Sequence, residues 1–182
     1  MQQILTVDHE ILYFICHWLR NDFLNPIMLF ITHLGDGGAI WIFIALIFLL
    51  KKQTRIFGVS MLISLLAGLI VGNMIMKPFF ARPRPFETYE DIINLINQGG
   101  YSFPSGHSLS SFTAATSFYL CAKYKNIKLN FARAFLVLAT LIALSRLYVC
   151  VHYPTDVLCG SLIGVIIAVI VVKIIIKRFP NS

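Results

Sequence analysis

The sequence predicts an all-α membrane protein, a polytopic bundle of about six transmembrane helices. Hydrophobic residues make up 58% of the 182-residue chain and charged residues only 13%, and the mean hydropathy is +0.79. Soluble domains carry about 25% charged residues, so this chain could not cover a water-exposed surface. One spanning helix needs about 20 apolar residues. The length therefore fits about six spans in a single domain, residues 1–182.

The first segment is the least regular. Residues 4–20 predict a helix whose Tyr13 and Trp18 suit the headgroup region. This helix either lies in the membrane interface or continues into the first span, and we expect that span to end near Leu34. GDGG (35–38) then breaks the helix. The segment lacks the basic region and apolar core of a cleaved signal peptide.

Five further apolar runs complete the predicted bundle, at residues 38–50, 56–76, 105–122, 131–149 and 154–176. Their β-branched residues do not favour strands, because an unbroken apolar run must satisfy its own backbone hydrogen bonds to cross lipid. GLIVG (68–72) and GSLIG (160–164) match GxxxG, and we expect them to pack helices within one chain. The oligomeric state stays open.

The charges divide between the two ends of such a bundle. Ten Lys or Arg and no acid lie in residues 51–55, 122–133 and 173–178, which six spans place on one side. The positive-inside rule makes that side cytoplasmic, with both chain termini, and turns the outer loop 78–104 outward. The net charge of +7 then indicates topology and anionic lipid at the inner face, and not nucleic-acid binding.

Two local features leave alternatives open. TYEDIINLINQGG (88–100) predicts a short helix from a capping box at Thr88 and Asp91, and this is either a surface helix that gates lipid entry or a plain connector. The cysteines lack metal-binding spacing, so we expect buried thiols, with a Cys150–Cys159 pair left open. They are Cys16, Cys121, Cys150 and Cys159.

Three polar clusters fall on the outward side of this layout. They are KPFFARPRP (77–85), FPSGHS (103–108) and SRLYVCVHYPTD (145–156). Each ionisable residue alone has a structural explanation, such as snorkelling or a local hydrogen bond. Such groups are nevertheless costly at a membrane boundary unless they are paired or used, so function is the default hypothesis.

Together the clusters supply what is needed to hold and attack a phosphate. Lys77, Arg84 and Arg146 are three cations, and guanidinium groups match phosphate oxygens bidentately. Ser105 and Gly106 predict a helix start whose free N–H groups bind an anion. No Asp-rich metal cluster is present in the sequence, so we expect no metal and no cofactor, and the cations do the electrostatic work.

Two histidines are available for the chemistry. Asp156 lies four residues after His152, so its carboxylate can accept a hydrogen bond from one imidazole nitrogen and leave the other free to attack. His107 can then protonate the leaving oxygen.

These residues, in this order, resemble the type-2 phosphatidic acid phosphatase superfamily, membrane lipid phosphatases related in their active site to vanadium haloperoxidases. The likeness rests on three signatures. Lys77 is followed by six residues and Arg84-Pro85, and Pro104-Ser105-Gly106-His107 is intact. Ser145-Arg146 is followed by five residues, His152, three residues and Asp156.

The resemblance implies a role for each of these residues. His152 would form a phosphohistidine with Asp156 as its partner, and His107 would be the general acid. The phosphate would be bound by Lys77, Arg84, Arg146, Ser105 and the Gly106 amide. The resemblance also implies that the activity is independent of metal.

The implied substrate is a lipid phosphate in the membrane. We favour undecaprenyl diphosphate, converted to undecaprenyl phosphate, over phosphatidylglycerophosphate and phosphatidate. The compact chain and Arg82, a fourth cation, suit a diphosphate, although a headgroup contact is the alternative for Arg82. A non-catalytic lipid-phosphate binder or transporter and a vanadate-dependent haloperoxidase are the alternatives from other classes.

Overall fold

The structure, a computed structural model, describes residues 2–179, and within them the regular elements are all helices. They run Gln2–Phe14 (α1), Leu24–Leu34 (α2), Ala39–Leu49 (α3), Arg55–Gly68 (α4), Lys77–Phe80 (α5), Pro85–Thr88 (α6), Gly106–Tyr124 (α7), Asn130–Tyr148 (α8) and Pro154–Arg178 (α9). Wider π-helical turns, Ile15–Leu19 and Leu69–Met76, extend α1 and join α4 to α5. The prediction of an all-α fold is confirmed.

Three helical stretches are long and apolar enough to cross a membrane: Lys52–Thr88, Asn130–Tyr148 and Pro154–Arg178. The pair Leu24–Leu34 and Asp36–Leu49, bent by 45°, is a fourth if it forms one broken span. The described part of the chain therefore has three or four candidate spans, fewer than the six expected. The chain is a multi-pass membrane protein.

α7 is the central helix, and its small residues let its neighbours approach closely. Beside it, α3 runs in the same direction, with Trp41 Nε1 donating to Ser111 Oγ at 2.9 Å. From α4, which runs in the opposite direction, Ser64 Oγ accepts from the Ser117 hydroxyl at 2.8 Å. Because α7 is rich in Ser, Thr and Ala, it falls short of the hydropathy of a candidate span although it runs alongside them.

Both GxxxG patterns pack against α7, so the prediction of packing within one chain is confirmed. A Cβ on Gly164 would meet the Leu109 carbonyl oxygen at 2.6 Å. Gly68 and Gly72 face the Leu109 side chain from the other side. The glycines therefore let the backbones of α9 and α7 touch, where a side chain would separate them.

The bundle has two chemically different ends. At the polar end, α5 and α8 finish and α7 and α9 begin. At the basic end lie the turns 50–54 and 125–129 and the last turns of α9, with the ten Lys and Arg identified above. The prediction that the basic segments share one side of the bundle agrees with this arrangement.

The N-terminal helix lies at the polar end. Asp8 of α1 accepts a hydrogen bond from the Thr155 N–H at the start of α9 (3.0 Å). Just after α1, Arg20 Nη2 donates to the Tyr148 carbonyl oxygen at the end of α8 (2.9 Å). These contacts place α1 at the polar end, whereas the expected first span begins at the basic end. Asp8 and Thr155 are 147 residues apart, so local sequence patterns give no sign of the pairing.

Residues 88–100 do not form the predicted helix. Thr88 Oγ1 donates to the Arg84 carbonyl oxygen (3.1 Å) and closes the single turn of α6. Ile92 is buried, and the Leu95 N–H donates to the Val149 carbonyl oxygen (3.2 Å). Packing onto the turn after α8 therefore overrides the local helix signals, and the segment is a packed connector.

The four cysteines are free thiols. Cys121 and Cys150 are buried, as expected for cysteines that act as small apolar residues. The pairing of Cys150 with Cys159, left open by the sequence, is not formed in the structure.

The close approach of α9 to α7 predicts that Gly164→Ala destabilises the protein. The added Cβ would meet backbone atoms of α7, the Leu109 carbonyl oxygen and, at 3.0 Å, the Thr113 nitrogen. Overpacking of this kind costs about 1–3 kcal/mol, and each kcal/mol lowers Tm by about 2–4 °C in a chain of this size.

Thermal denaturation in detergent measures the effect, with Gly99→Ala as the matched control because a Cβ there meets nothing within 4 Å. At position 164, alanine has a higher helix propensity than glycine. Propensity alone would therefore stabilise α9, and it opposes the loss of stability expected from overpacking. An unchanged Tm for Gly164→Ala would show that the two backbones are not in contact.

Candidate active site

A cavity at the polar end brings together residues of all three polar clusters. Its volume is about 410 Å³. The polar part of its wall includes Lys77, Arg84, Gly106, His107, Arg146 and His152. The chain positions them with α5, the beginning of α7, the end of α8 and the turn before α9, which all meet at this end.

His152 lies in the turn before α9 and is held on one side only. Its Nδ1 is 3.5 Å from Asp156 Oδ2 and 3.4 Å from the Ser102 hydroxyl, which itself donates to Asp156 Oδ2. The Tyr153 N–H also donates to that oxygen (2.9 Å) and fixes the carboxylate at the start of α9. Nε2 of His152 has no hydrogen-bond partner in the described part of the chain, and the side chain lines the cavity.

The His152 imidazole is neutral at physiological pH. Burial lowers its pKa to about 3, with Asp156 opposing the shift and Arg146 adding repulsion. A neutral ring has a lone pair on one nitrogen. With Nδ1 directed to Asp156 and Ser102, the free lone pair belongs to Nε2.

Arg82 is bound to two carboxylates and is not a free cation. Its Nη1 donates to Asp156 Oδ1 (2.6 Å) and its Nη2 to Asp8 Oδ2 (2.8 Å). Its guanidinium carbon lies 3.7 Å from the centre of the Tyr153 ring. These contacts give no support to the idea that Arg82 contacts a second phosphate or a headgroup. Arg82 instead connects α1 to the carboxylate that faces His152.

Arg84 and Arg146 are fully buried and hydrogen-bond to neutral groups. Arg84 donates to the carbonyl oxygens of Gly99, Gly100 and Val151 at 2.7–2.8 Å. A guanidinium has five N–H donors, so at least one remains for a ligand in the cavity. Its carbonyl contacts also hold the connector 89–105 against the turn before α9.

Arg146 keeps an unpaired donor. Its Nη1 donates to Thr32 Oγ1 (2.5 Å) and its Nη2 to Gln98 Oε1 (2.9 Å), while Nε is buried without a partner in the described residues. Lys77, the third cation of the cavity wall, likewise makes no hydrogen bond with a described residue. Buried polar groups in proteins are generally paired, so this cavity is short of an acceptor.

The beginning of α7 supplies further donors. Ser105 is its N-cap and accepts a hydrogen bond from the Ser108 N–H (3.4 Å), as the sequence predicts. The N–H groups of Gly106 and His107 have no acceptor among the described residues, which is usual in the first turn of a helix. A Cβ on Gly106 would lie 3.3 Å from Asn73 Oδ1, so glycine keeps this edge of the cavity open.

His107 lies across the cavity and has a carboxylate of its own. Its Nε2 is 2.9 Å from Asp36 Oδ1 in the turn between α2 and α3. The ring lies against Gly35, where a Cβ would meet His107 Cδ2 at 2.5 Å. GDGG (35–38) therefore does more than break a helix, because Gly35 and Asp36 both contact the His107 imidazole.

Sequence reasoning missed six polar residues of this region. Ser102 and Asp36 contact the histidines, Thr32 and Gln98 hold Arg146, Asn73 lines the cavity and Asp8 holds Arg82. None of them belongs to the three signatures. Only Asp36 could have been found from the sequence. It is an acidic residue between glycines at a break between two apolar runs, and such a residue is a candidate for a functional site.

The far side of the cavity is apolar. Ile42 of α3 lies there with Leu62, Leu65 and Leu66 of α4 and Leu69 just after it. The cavity thus has a cationic wall at the polar end and a hydrocarbon wall between two helices. Within residues 2–179, no group of three His, Cys, Asp or Glu is arranged to hold a metal ion.

Comparison with known proteins identifies the family of this chain. A family model described as the PAP2 superfamily matches residues 55–180. An undecaprenyl-diphosphatase from Sulfolobus acidocaldarius is 32% identical over 142 residues, which cover 78% of this chain and 66% of that protein. Phosphatidylglycerophosphatase B from Bacillus subtilis is 30% identical over 160 residues, 81% of this chain and 73% of that protein.

A solved structure has the same fold. The crystal structure of a transmembrane PAP2 type phosphatidylglycerolphosphate phosphatase from Bacillus subtilis superposes with a TM-score of 0.80 at 26% identity. The match covers 97% of this chain and 88% of that one. Both the sequence and the fold therefore lead to the same family.

The neutral state of His152 is open to direct measurement. Because burial lowers the pKa of His152 to about 3, its ring nitrogens should show neutral imidazole chemical shifts from pH 8 down to pH 5. Nitrogen NMR of protein labelled at histidine measures this, and the resonance is assigned by its loss in His152→Ala. A midpoint near the ordinary histidine value of about 6.5 would contradict the buried environment described here.

Proposed function

Because the chain belongs to the PAP2 superfamily, a family of phosphatases, we propose that it is an integral-membrane lipid phosphatase that works through a phosphohistidine. The observation that carries the proposal is the cavity in which three cations and two histidines meet. A phosphate group is the ligand that such a cavity suits, because it brings negative charge and several strong acceptor oxygens to unpaired cationic donors.

In this proposal the terminal phosphate is bound by charge and by free N–H groups. Arg146 supplies its unpaired Nε, Arg84 its remaining N–H groups and Lys77 its ammonium. The Gly106 amide adds the N-terminal donors of α7, which Ser105 holds in place as the N-cap. These donors also stabilise the charge that develops on the phosphoryl oxygens during transfer, and no step needs a metal.

The first step transfers the phosphoryl group to His152. Nε2 attacks phosphorus with its lone pair, while the Nδ1 proton stays directed to Asp156, whose negative charge stabilises the positive ring that forms. The bond between phosphorus and the leaving oxygen breaks. The leaving oxygen takes the bonding electrons and a proton from His107, which becomes neutral.

The second step hydrolyses the phosphohistidine. Neutral His107 removes a proton from a water molecule, whose oxygen attacks phosphorus. The phosphorus–nitrogen bond breaks, inorganic phosphate leaves, and His152 returns to its neutral state. His107 regains the proton that it donated, so both histidines end the cycle as they began.

The apolar wall of the cavity supports a lipid substrate. Hydrocarbon next to the phosphate would lie between α3 and α4, against five Ile and Leu side chains. We propose undecaprenyl diphosphate as the substrate, because a relative at 32% identity is named an undecaprenyl-diphosphatase. Arg82 no longer supports this choice. Phosphatidylglycerophosphate is the second candidate, since a relative and a solved structure carry that name, and phosphatidate is the third.

We propose that the basic end faces the cytoplasm and the cavity faces outward. The positive-inside rule favours this orientation, since ten Lys and Arg lie at the basic end. The bent pair α2–α3, the α4–α5 stretch, α7, α8 and α9 would then make five crossings, with α7 shielded from lipid by its neighbours. In place of the sixth span, α1 would lie at the outer surface.

The proposed mechanism predicts a labelled enzyme intermediate. Protein mixed briefly with a lipid substrate labelled in its terminal phosphate should carry acid-labile, alkali-stable phosphate, and His152→Ala should carry none and release none. His107→Ala should slow release from phosphatidate, whose alkoxide leaving group must be protonated, by about 10²–10⁴-fold, the usual contribution of general acid catalysis. Release from a diphosphate should slow less, because a phosphate oxygen is a weaker base. EDTA should leave the rates unchanged.

His33→Ala is the matched control, because His33 is exposed and hydrogen-bonds within α2 at the Leu29 carbonyl oxygen. Measured with undecaprenyl diphosphate, phosphatidylglycerophosphate and phosphatidate in the same micelles, the rates also rank the substrates. Binding of the lipids without phosphate release would instead identify a non-catalytic binder. Activity in His152→Ala, or a strict need for Mg²⁺, would refute the mechanism.

A further inference from the structure

Asp36 forms a second carboxylate–histidine pair at the cavity. Its Oδ1 is 2.9 Å from His107 Nε2, and its side chain is 56% exposed where that of His107 is 13% exposed. The carboxylate therefore remains hydrated at the rim while the imidazole is inside. The pair resembles His152 with Asp156 in its chemistry but lies on a different part of the chain.

Neither the signatures nor the family match assigns a role to Asp36. The three signatures lie between Lys77 and Asp156, and the family model matches residues 55–180. The geometry of the turn is nevertheless specific. Gly35 is in contact with the ring, and Gly37 and Gly38 have φ of 59° and 70°, which favour glycine. The chain is therefore shaped here to bring one carboxylate to His107.

We propose that Asp36 orients His107 and favours its protonated form, the proton donor. Asp36 thereby determines how well the site hydrolyses phosphate monoesters relative to diphosphates. This inference rests on the proposed function, because it assumes that His107 protonates the leaving oxygen. Asp36 acts through His107 and is a positioning residue.

Charge is the first part of the argument. His107 shares its cavity with Lys77, Arg84 and Arg146, and all three oppose a second proton on its ring. The other titratable group of the cavity wall, His152, is neutral. Asp36 is the carboxylate in contact with His107, and it favours the protonated ring, with a smaller contribution from the Thr32 backbone. Without it, the donor would be short of the proton that it must give.

The leaving group is the second part. A diphosphate releases a phosphate oxygen, which is a weak base with a second pKa of about 6 and can leave without a proton. A monoester such as phosphatidate releases an alkoxide, a much stronger base that must be protonated as its bond to phosphorus breaks. Loss of the proton donor should therefore slow the monoester far more than the diphosphate.

The test uses a matched pair of substrates, dioctanoyl phosphatidate and dioctanoylglycerol diphosphate, which share their tails and differ in the leaving oxygen. Initial phosphate release is measured with purified full-length protein in detergent. Asp36→Asn should lower kcat for phosphatidate by about 10- to 100-fold, less than the full 10²–10⁴-fold contribution of general acid catalysis, because His107 itself is still present. For the diphosphate it should lower kcat by less than about 3-fold, and Asp36→Glu should recover part of the phosphatidate rate.

Two further variants separate positioning from general damage. Asp91→Asn is the matched control, because Asp91 pairs with His9 at 3.0 Å at the same end of the bundle but outside the cavity wall, and it should change neither rate. The double variant Asp36→Asn, His107→Ala should be no slower on phosphatidate than His107→Ala alone, since Asp36 acts through that ring.

The outcomes distinguish the two levels of the account. Equal losses on both substrates, no loss on phosphatidate, or additive losses in the double variant would overturn the role of Asp36 while the phosphatase stands. Wild-type protein that releases phosphate from neither of these lipids nor from undecaprenyl diphosphate would overturn the proposed function, and the role of Asp36 with it.

Discussion

The structure depends on three cations that share one cavity without a carboxylate of their own. Among the described residues, Lys77, Arg84 and Arg146 make no ion pair. Like charges in a partly desolvated site repel, and burial of unpaired charge is costly. An anion in the cavity relieves both penalties at once. The site is thus electrostatically complementary to a phosphate, and the surrounding contacts keep it so.

The ion pairs and hydrogen bonds around the cavity leave the positive charge of its three cations without a neutralising carboxylate in the described part of the chain. Three carboxylates close to the cavity have other partners: Asp156 faces His152 and Arg82, Asp36 faces His107, and Asp8 faces Arg82. The buried arginines of the cavity are instead held by carbonyl oxygens, a hydroxyl and an amide. Neutral acceptors orient a guanidinium without cancelling its charge, so the positive potential remains available to a ligand. Asp156 and Asp36 each contact a histidine, and Asp8 helps to hold Arg82 against Asp156.

The sequence predicted the parts of the site that follow from short spacing. Ser105 caps α7, Pro154 opens α9, and Asp156 faces His152 because these relations are local. Long-range pairings left no such pattern, as Ser102 with Asp156, Asp36 with His107 and Asp8 with Thr155 illustrate. The helix expected at 88–100 failed for a related reason. Arg84 donates hydrogen bonds to the carbonyl oxygens of Gly99 and Gly100, and Ile92 is buried. These long-range contacts outweigh the capping box that favours a helix. The six-span layout failed in its first span, because the polar contacts of α1 lie at the opposite end of the bundle from the one assumed.

The central claim is that His107, His152 and the three cations face one phosphoryl group, and an experimental structure with orthovanadate tests it most directly. Vanadate takes the geometry of a phosphoryl group in transfer. The account predicts vanadium bonded to His152 Nε2, with its oxygens in contact with Lys77, Arg84, Arg146 and the Gly106 amide and one of them facing His107. Vanadate bonded elsewhere, or bound with either histidine out of contact with it, would contradict the account.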